Sequence, residues 1–305
     1  MNAPSDEEAR LLRPGSVLIS FLYAHTRPSL VRILEELQIS AFAMDAVPRI
    51  SRAQTMDALS SQANLAGYKA VILGAGHLGK IFPLMMTAAG SIKPSRVLVF
   101  GAGVAGLQAI ATAKRLGAIV ECTDVRPETK EQVESLGGKF LEVQGGEGVK
   151  TEGGYAREVS ADYLARQKEL VARHVADADL VITTALVMGR KAPVLVTADM
   201  VRSMKPGSVI VDMAVESGGN CELSEAGTTV VREGVTLVGE TNLPSLVAVN
   251  ASELYARNCL ALFSHLTGSD GFKWETGEEI TRGCLITHEG KLIHEFTRSI
   301  LETVA

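Results

Sequence analysis

Three glycines stand at the spacing G-x-G-x-x-G between an apolar run and a helical one. Gly101, Gly103 and Gly106 follow RVLVF and precede LQAIATAKRLG. In the order strand, turn and helix, this spacing is typical of loops that bind the pyrophosphate of a dinucleotide. The first glycine permits the tight turn, the second lets the backbone approach the pyrophosphate, and the third lets helix and strand pack closely. The helix N-terminus offers unpaired N–H groups and partial positive charge to the phosphates.

A carboxylate follows the next apolar run, where a ribose ligand is expected. Asp124 lies 18 positions after Gly106, near the spacing of roughly 20 residues typical of the ribose-binding acid. It would accept hydrogen bonds from the adenosine ribose and repel a 2′-phosphate, which favours NAD over NADP. Arg126 keeps the alternative open, because an arginine nearby can accommodate that phosphate. It can equally be a surface residue that flanks Pro127 or covers the adenine.

A polar segment, VPRISRAQTMD (residues 47–57), precedes a glycine-rich apolar stretch. Its two arginines, its glutamine and its aspartate are unusual within so short a stretch. Read from the residues alone, it is equally well a helix start capped by Ser51, with an exposed Arg52.

No general acid or base is evident. Most dehydrogenases place a histidine or lysine at the reacting carbon, but no histidine here carries a motif. His174 lies in a polar helical run and is expected to be solvated, and His77 is expected to pack within a helix. The histidines are His25, His77, His174, His265, His288 and His294.

The elements that must position these residues alternate along the chain. Apolar runs predict strands at 16–23, 41–47, 96–100, 118–122, 179–183, 208–212 and 235–239, and periodicity predicts helices at 28–39, 52–66, 68–88 and 251–266. Residues 280–295 are predicted to form a strand, a turn and a strand. This alternation indicates an α/β fold: a doubly wound parallel sheet of Rossmann type, plus a second α/β domain formed by the N- and C-terminal segments.

Composition excludes several classes of function. The 305 residues are 46% hydrophobic and 21% charged, with a net charge of −5 and no basic block, which argues against nucleic acid as a partner. The four cysteines (Cys122, Cys221, Cys259 and Cys284) form no CxxC pair, so we expect no metal site, a reducing compartment and mostly core positions for these thiols. No signal peptide or transmembrane segment is expected.

The length suggests two domains, at roughly 150 residues per domain. We expect a Rossmann domain at 61–245 and a first domain formed by 1–60 and 246–305. The glycine-rich segment 143–157 is either a flexible lid or a solvent-exposed insertion, and Tyr155 at its end favours the lid.

From about Ala3 to His294 the chain resembles the NAD(H)-binding component, domain I of the alpha subunit, of proton-translocating NAD(P)+ transhydrogenase. Alanine dehydrogenase is a more distant relative in that family. The segments that carry the resemblance are VPRISRAQTMDALSS, RVLVFGAGVAGLQAIATAKRLGA, TDVRPETKEQVESLGGKF, GGYAREVS, DLVITTALVMGRKAP and KPGSVIVDMAVESGGNCE.

The resemblance implies a role for each matching residue. Arg49, Gln54, Asp57 and Ser60 would face the dihydronicotinamide and its ribose, with Arg49 and Asp57 on the ring and carboxamide and Gln54 on the partner's nucleotide. The remaining cofactor-binding positions would be Gly101, Ala102, Gly103, Val104 and Gly106 at the pyrophosphate, Asp124, Val125 and Arg126 at the adenosine, Gly154 and Tyr155 in the mobile loop, and Thr184 at a strand end.

The resemblance also implies direct hydride transfer from NADH to NADP+ on a partner domain, which explains the absent base. It implies a homodimer in the cytoplasm, attached peripherally to the inner membrane through membrane-spanning partner subunits that translocate the proton. The family normally carries further βα units ahead of the position of Met1, so we expect the first domain to be incomplete. The alternatives are an alanine-dehydrogenase-like amino-acid dehydrogenase and a truncated NAD-binding module without activity.

Overall fold

A computed structural model describes residues 2–142, 161–186, 191–269 and 271–304, with the backbone alone for 161–165 and 304. The chain divides into two compact units. Unit 1 comprises Met1–Ala63 and Pro244–Ala305, and unit 2 comprises Asn64–Leu243.

The α-helices of the described chain separate single strands or groups of two or three strands. They are α1 (Asp6–Arg10), α2 (Pro28–Glu36), α3 (Ala58–His77), α4 (Val104–Arg115), α5 (Lys130–Ser135), α6 (Ala161–Asp177), α7 (Ala198–Ser203), α8 (Ala248–Leu266), α9 (Glu279–Cys284) and α10 (Glu295–Val304). Short 3-10 helices lie at Ala24–Thr26, Ser51–Met56, Pro127–Thr129, Val215–Ser217 and Leu243–Val247.

The strands are short and mostly apolar. They are β1 (Val17–Ser20), β2 (Ser40–Ala43), β3 (Met85–Thr87), β4 (Gly90–Ile92), β5 (Arg96–Phe100), β6 (Ile119–Thr123), β7 (Lys139–Phe140), β8 (Leu180–Thr183), β9 (Val209–Asp212), β10 (Thr229–Arg232), β11 (Val235–Val238), β12 (Thr267–Gly268), β13 (Gly271–Phe272), β14 (Leu285–His288) and β15 (Lys291–Leu292).

Unit 2 contains a seven-stranded sheet in the order β10-β11-β9-β8-β5-β6-β7. All neighbouring pairs are parallel except β10 and β11. Numbered from β5, the parallel strands run in the order 3-2-1-4-5-6 of the doubly wound dinucleotide-binding fold. The predicted fold class is confirmed, and the strand order reverses between β5 and β8, where ligands of such sheets bind beyond the carboxyl ends of the strands.

The central parallel strands β5, β8 and β9 are buried on both faces, which is why they read as continuous apolar runs. In β5, Val97 and Val99 belong to one hydrophobic cluster, and Leu98 and Phe100 belong to another. Successive side chains of a strand point to opposite faces, so each apolar pair anchors a different layer of helices.

Unit 1 contains a four-stranded sheet in the order β1-β2-β14-β15. β1 and β2 are parallel and joined through α2, as the sequence predicts, while β14 runs antiparallel to β2. α2 supplies Leu30 and Leu34 to one core cluster, and α8 supplies Leu262 and Leu266 to another.

The predicted helices at 52–66 and 68–88 are corrected. The residues Ser51–Met56 form a 3-10 helix, and a single α3 runs on to His77. Gly74 allows α3 to pack closely on the sheet, because a Cβ there would lie 2.6 Å from Leu180. Beyond His77, Pro83 interrupts helical hydrogen bonding, and the chain forms the exposed hairpin of β3 and β4.

The predicted strand at the start of 280–295 is also wrong, because α9 occupies Glu279–Cys284 before β14 begins. Glu278 explains the helix: its carboxylate accepts the N–H groups of Ile280 and Thr281, both at 2.9 Å. An acidic N-cap satisfies donors that the first turn leaves unpaired.

Within the part of the chain that the structure describes, no helix combines the length and the apolar character needed to cross a bilayer.

Glu278 also has a lowered pKa. Burial raises the pKa of Glu278, but the Thr281 N–H, His265 and the Ile280 N–H lower it further, to about 2. A carboxylate with a depressed pKa stabilises the folded state above its unfolded pKa and loses that effect as the pH falls through the folded value.

We therefore expect Glu278→Gln to lower the free energy of unfolding by about 2 kcal/mol at neutral pH. The deficit should shrink as the pH falls from about 4.5 towards about 2. Urea unfolding across this pH range measures it, with exposed Glu275→Gln as the control. A deficit that does not change with pH would contradict the assignment.

Candidate nucleotide-binding site

The glycine turn joins β5 to α4 at the carboxyl edge of the large sheet. Gly101 adopts φ +98°, a conformation that glycine takes without strain, and its N–H bonds the Thr123 carbonyl oxygen at 2.9 Å. A Cβ at Gly106 would lie 1.8 Å from the Gly101 carbonyl oxygen. Position 106 must therefore be glycine for α4 to start this close to β5.

The N-terminus of α4 is open. Gly103 is the N-cap residue, and no side chain caps this helix of 12 residues. Leu107 is the first residue of the helix whose N–H bonds back along the chain, to the Gly103 carbonyl oxygen at 2.8 Å. A Cβ at Gly103 would meet nothing within 4 Å. The first turn thus offers free N–H groups beside open space, an arrangement that suits a phosphate.

Asp124 fixes this turn from the end of β6. Its carboxylate accepts the Ala102 N–H at 2.7 Å and the Arg126 N–H at 2.8 Å, and it pairs with the Arg126 guanidinium at 2.9 Å. Burial raises the pKa of Asp124, but the Arg126 side chain and the two N–H groups lower it further, below its usual value. The carboxylate is therefore ionised, and it binds protein donors.

The residues beyond Asp124 are open to solvent. Val125 is 82% exposed, and the Arg126 side chain is 51% exposed. Thr129 donates to the Arg126 carbonyl oxygen at 2.7 Å and so fixes this corner. The corner presents an apolar side chain and a cation at one edge of the sheet.

Thr184 lies directly over the glycine turn from the end of β8. Its hydroxyl donates to the Phe100 carbonyl oxygen at 3.0 Å and lies 3.4 Å from that of Gly101. A Cβ at Gly101 would lie 2.4 Å from this hydroxyl oxygen. Thr184 therefore locks the turn.

A buried polar cluster behind Thr184 was not predicted from the sequence. Asp212, fully buried at the end of β9, accepts the hydroxyl of Thr183 at 3.1 Å and the Cys221 N–H at 2.9 Å. Asn220, equally buried, bonds both backbone groups of Ala185, at 3.0 and 2.9 Å. The signal was available, since an Asp ending an apolar strand and an Asn after two glycines are residues that satisfy backbone groups in turns.

In unit 1, the polar segment 47–57 surrounds a hollow of about 200 Å³. Arg49 and Gln54 are exposed, and within the described part of the chain their side chains make no hydrogen bond or ion pair. The residues that line the hollow are Pro48, Arg49, Ile50, Ser51, Ala53, Gln54 and Asp57.

Asp57 is an N-cap. Its carboxylate accepts the N–H of Ser60 at 2.8 Å and the Ser60 hydroxyl at 2.6 Å. The expected helix cap therefore exists, but Asp57 provides it for α3, whereas Ser51 caps nothing and Ile50 precedes the 3-10 helix. A carboxylate has about four acceptor positions, so Asp57 retains capacity for a further donor.

Arg52 is exposed, as the interpretation of segment 47–57 as a helix start predicts, but it also forms two ion pairs. Its guanidinium lies 2.8 Å from Glu278 and 2.9 Å from Glu279. From α8, the buried Asn258 donates to the Thr55 carbonyl oxygen at 2.8 Å. Asn258 was not predicted, because nothing in a helical run marks a side chain that bonds 203 positions away.

The expected solvation of His174 is wrong. Its side chain is only 18% exposed, and its Nδ1 lies 2.8 Å from Glu121. The polar helical pattern did not show the buried carboxylate on β6. Cys122, Cys221 and Cys284 are buried core residues, as expected. Burial above all raises the pKa of both Cys122 and Cys284 to about 12, so neither thiol is a ready nucleophile.

Gly154 and Tyr155, with the rest of the expected lid, lie outside the described residues. Within the described ranges, no group of three or more His, Cys, Asp or Glu side chains is arranged to hold a metal ion.

Strand order, the glycine turn and the open start of α4 define the class of Rossmann-fold dinucleotide-binding proteins. Residues 70–295 match the family model for the C-terminal domain of alanine dehydrogenase/PNT, and residues 1–66 match that for the N-terminal domain. The chain therefore belongs to the alanine dehydrogenase/PNT family.

Within that family, transhydrogenase subunits are similar to it. The first part of the NAD(P) transhydrogenase alpha subunit of Rhodospirillum rubrum is 52% identical over 292 residues, which cover 94% of this chain and 76% of that protein. The crystal structure of a transhydrogenase from Sinorhizobium meliloti superposes with a TM-score of 0.87 at 45% identity, covering 95% of this chain and 79% of that one. Alanine dehydrogenase of Bacillus subtilis is 31% identical over 252 residues, 80% of this chain and 61% of that protein.

The glycine turn gives a direct test. Gly106→Ala should lower the free energy of unfolding by about 1–3 kcal/mol, because the new methyl group must displace backbone. Gly103→Ala should change it by less than about 1 kcal/mol, because the space there is open. Thermal unfolding of both variants measures this, and equal destabilisation would contradict the described packing of α4.

Proposed function

We propose that this chain is the NAD(H)-binding component of a proton-translocating transhydrogenase, and that NADH bound to it reduces NADP+ held by a partner domain. The observation that carries the proposal is the hollow at segment 47–57, where Arg49 and Gln54 have no protein partner in the described chain. The similarity to transhydrogenase alpha subunits supports it.

The proposed dinucleotide site begins at the glycine turn. The free N–H groups of the first turn of α4 suit the pyrophosphate, and the apolar side chain and cation beyond Asp124 suit the adenosine. We assign cofactor binding to Gly101, Ala102, Gly103, Val104, Gly106, Asp124, Val125, Arg126, Gly154, Tyr155 and Thr184.

The nicotinamide half is assigned to Arg49, Asp57 and Ser60. Arg49 carries five donors and would bind the carboxamide oxygen. Asp57 would accept the carboxamide N–H groups with the capacity that its bonds to Ser60 leave free. Because those bonds fix the carboxylate, the ring would meet a preorganised acceptor.

The reaction needs no general base. A hydride, carrying two electrons, leaves C4 of NADH and bonds to C4 of the second nicotinamide, so NADH becomes NAD+ and NADP+ becomes NADPH. No proton enters or leaves at either carbon. The protein therefore has to hold the two rings at a reactive distance of about 3–3.5 Å and exclude water. Gln54 would position the second nucleotide.

We also propose partner subunits and a cellular location for this chain. The chain would act as a homodimer, and separate membrane-spanning subunits would translocate the proton and bind the chain to the inner membrane. It would therefore stay at the cytoplasmic face. We also retain the expected domain bounds, 61–245 for the Rossmann domain and 1–60 with 246–305 for the other.

The similarity to Bacillus subtilis alanine dehydrogenase favours a second candidate, an amino-acid dehydrogenase. One assay separates the candidates. The chain is mixed with the NADP(H)-binding component of a family transhydrogenase, and NADH is offered with an NADP+ analogue whose reduced form absorbs at a separate wavelength. Reduction of the analogue supports the proposal, and NADH oxidation that requires pyruvate and ammonia supports the alternative. NADH binding without either reaction identifies a binding module.

Cofactor choice gives a test of Asp124. The unaltered chain should bind NADH more tightly than NADPH, because the carboxylate repels a 2′-phosphate. Asp124→Asn keeps an acceptor for the Ala102 N–H and releases Arg126, so the NADH-to-NADPH affinity ratio should narrow by about tenfold, near 1.4 kcal/mol. Fluorescence titration measures it.

The control is Glu131→Gln, which removes an exposed charge of α5 and should leave the ratio within about twofold. Equal affinities in the unaltered protein would exclude Asp124 as the selector.

A substitution of Gln54 tests whether this residue positions the second nucleotide for hydride transfer. Gln54→Asn shortens the side chain by one methylene, and a displacement of about 1 Å can slow transfer by ~100-fold. We expect single-turnover transfer to slow by about that factor while the NADH dissociation constant changes by no more than about threefold. Gln132→Asn repeats the substitution at an exposed glutamine of α5 and should change neither quantity. A parallel loss of NADH binding would exclude cross-site positioning.

A further inference from the structure

Two buried amide side chains form hydrogen bonds between α8 and the chain around the start of α3. One connects α8 to the segment ahead of α3, the other connects α8 to α3, and the two chain segments run antiparallel. Asn258 of α8 donates to the Thr55 carbonyl oxygen at 2.8 Å, and Gln62 of α3 donates to the Ala251 carbonyl oxygen at 3.1 Å. The partners are seven residues apart on each side, about two helical turns. Both residues are 6% exposed.

The two hydrogen bonds constrain different kinds of backbone. Gln62 and Ala251 lie within regular helices, α3 and α8, whose own hydrogen bonds already fix the backbone. Thr55 lies near the end of a 3-10 helix of six residues, where backbone hydrogen bonds have poorer geometry. Asn258 therefore supplies a constraint that the local backbone lacks, and it does so one residue from Gln54.

Each amide contributes through its NH2 group alone. The amide oxygens of Asn258 and Gln62 are buried without a partner in the described chain. Each unpaired oxygen costs about 1–3 kcal/mol, and the bond to the Thr55 carbonyl oxygen is the one side-chain hydrogen bond that Asn258 makes in the described chain. The donated bond is thus the specific contribution of Asn258.

A second anchor lies at the other end of the 3-10 helix. Arg52 reaches Glu278 at 2.8 Å and Glu279 at 2.9 Å. With Asn258 on Thr55, the helix is fixed at two points three residues apart. Between and beside these anchors, the side chains of Gln54 and Arg49 remain without partners in the described chain.

We propose that Asn258 is a positioning residue for hydride transfer, which holds the Thr55 carbonyl group so that Gln54 is presented in one fixed geometry. This inference rests on the proposed function. It assigns the role to a residue of α8 that need not touch either nucleotide.

The experiment compares Asn258→Leu with Gln62→Leu. The two substitutions remove equally buried amides that make the same kind of bond to a carbonyl oxygen. Both should lower the Tm by a few degrees, about 2–8 °C. Only Asn258→Leu should slow single-turnover transfer from NADH to the NADP+ analogue, by about 10- to 100-fold, with the NADH dissociation constant within about threefold of the unaltered value.

Hydrogen exchange gives a readout that does not depend on activity. Asn258→Leu should raise amide exchange in residues 51–57, and Gln62→Leu should leave that segment unchanged. An unaltered protein that transfers no hydride would contradict the proposed function, and the exchange comparison would still decide whether Asn258 holds the segment.

If Asn258→Leu does not fold, Asn258→Ala replaces it, because this variant removes the same donor to Thr55 without adding bulk. It should show the same slow transfer, retained NADH affinity and raised exchange at 51–57. Unchanged transfer in a folded Asn258 variant, or equal slowing by Gln62→Leu, would overturn the proposal.

Discussion

The close approach of α4 to β5 is the constraint on which the rest of unit 2 depends. A Cβ at Gly106 would lie 1.8 Å from the Gly101 carbonyl oxygen, so the helix starts almost on the strand end. Its free N–H groups are thereby directed to the carboxyl edge of the sheet, where the strand order reverses. Asp124 from one side and Thr184 from the other then hold the turn. A backbone site of this kind has little freedom to adapt, which suits a ligand whose phosphates must lie in a single position.

Some polar side chains near the candidate sites bind other groups of the protein, whereas Arg49 and Gln54 have no side-chain partner in the described chain. Asp124, Asp212 and Asn220 satisfy backbone groups at the ends of strands. In unit 1, Asn258 satisfies the Thr55 carbonyl oxygen of a short 3-10 helix, and Arg52 of that helix pairs with the carboxylates of Glu278 and Glu279. These bonded side chains support the backbone that carries Arg49 and Gln54 in unit 1 and the glycine turn in unit 2. Such support reduces the ordering that a ligand would otherwise have to impose.

Much of the fold was predictable because parallel strands buried on both faces give unbroken apolar runs. RVLVF and DLVIT are such runs, and both are strands of the sheet. Edge elements were harder, since β7 has two residues and β10 is largely exposed. The helix predicted at 68–88 was too long because apolar residues continue past His77; Gly79 and Pro83, which disfavour a helix there, were given too little weight. α9 was missed because its N-cap residue, Glu278, lies in the polar segment GSDGFKWETGEE, whose composition is that of a loop.

The site was predictable where backbone geometry determines the residue type. Gly101 needs a positive φ and Gly106 needs the absence of a Cβ, and both requirements appear directly in the spacing. Roles that depend on distant partners were not predictable. His174 meets Glu121 across 53 positions, and Asn258 meets Thr55 across 203. The family resemblance identified Asp57 as a candidate ligand. Its second role, as the N-cap of α3, could be recognised only from its contact with Ser60 in the structure.

Cys122 has a chemical consequence for the strand that leads to Asp124. Burial, and then the neighbouring carboxylate, raise the pKa of its thiol to about 12. Oxidants and electrophiles attack the thiolate rather than the thiol, and at neutral pH this sulfur stays protonated and enclosed. Peroxide and disulfides, which modify exposed thiolates, therefore have no ready target in the strand that leads to Asp124.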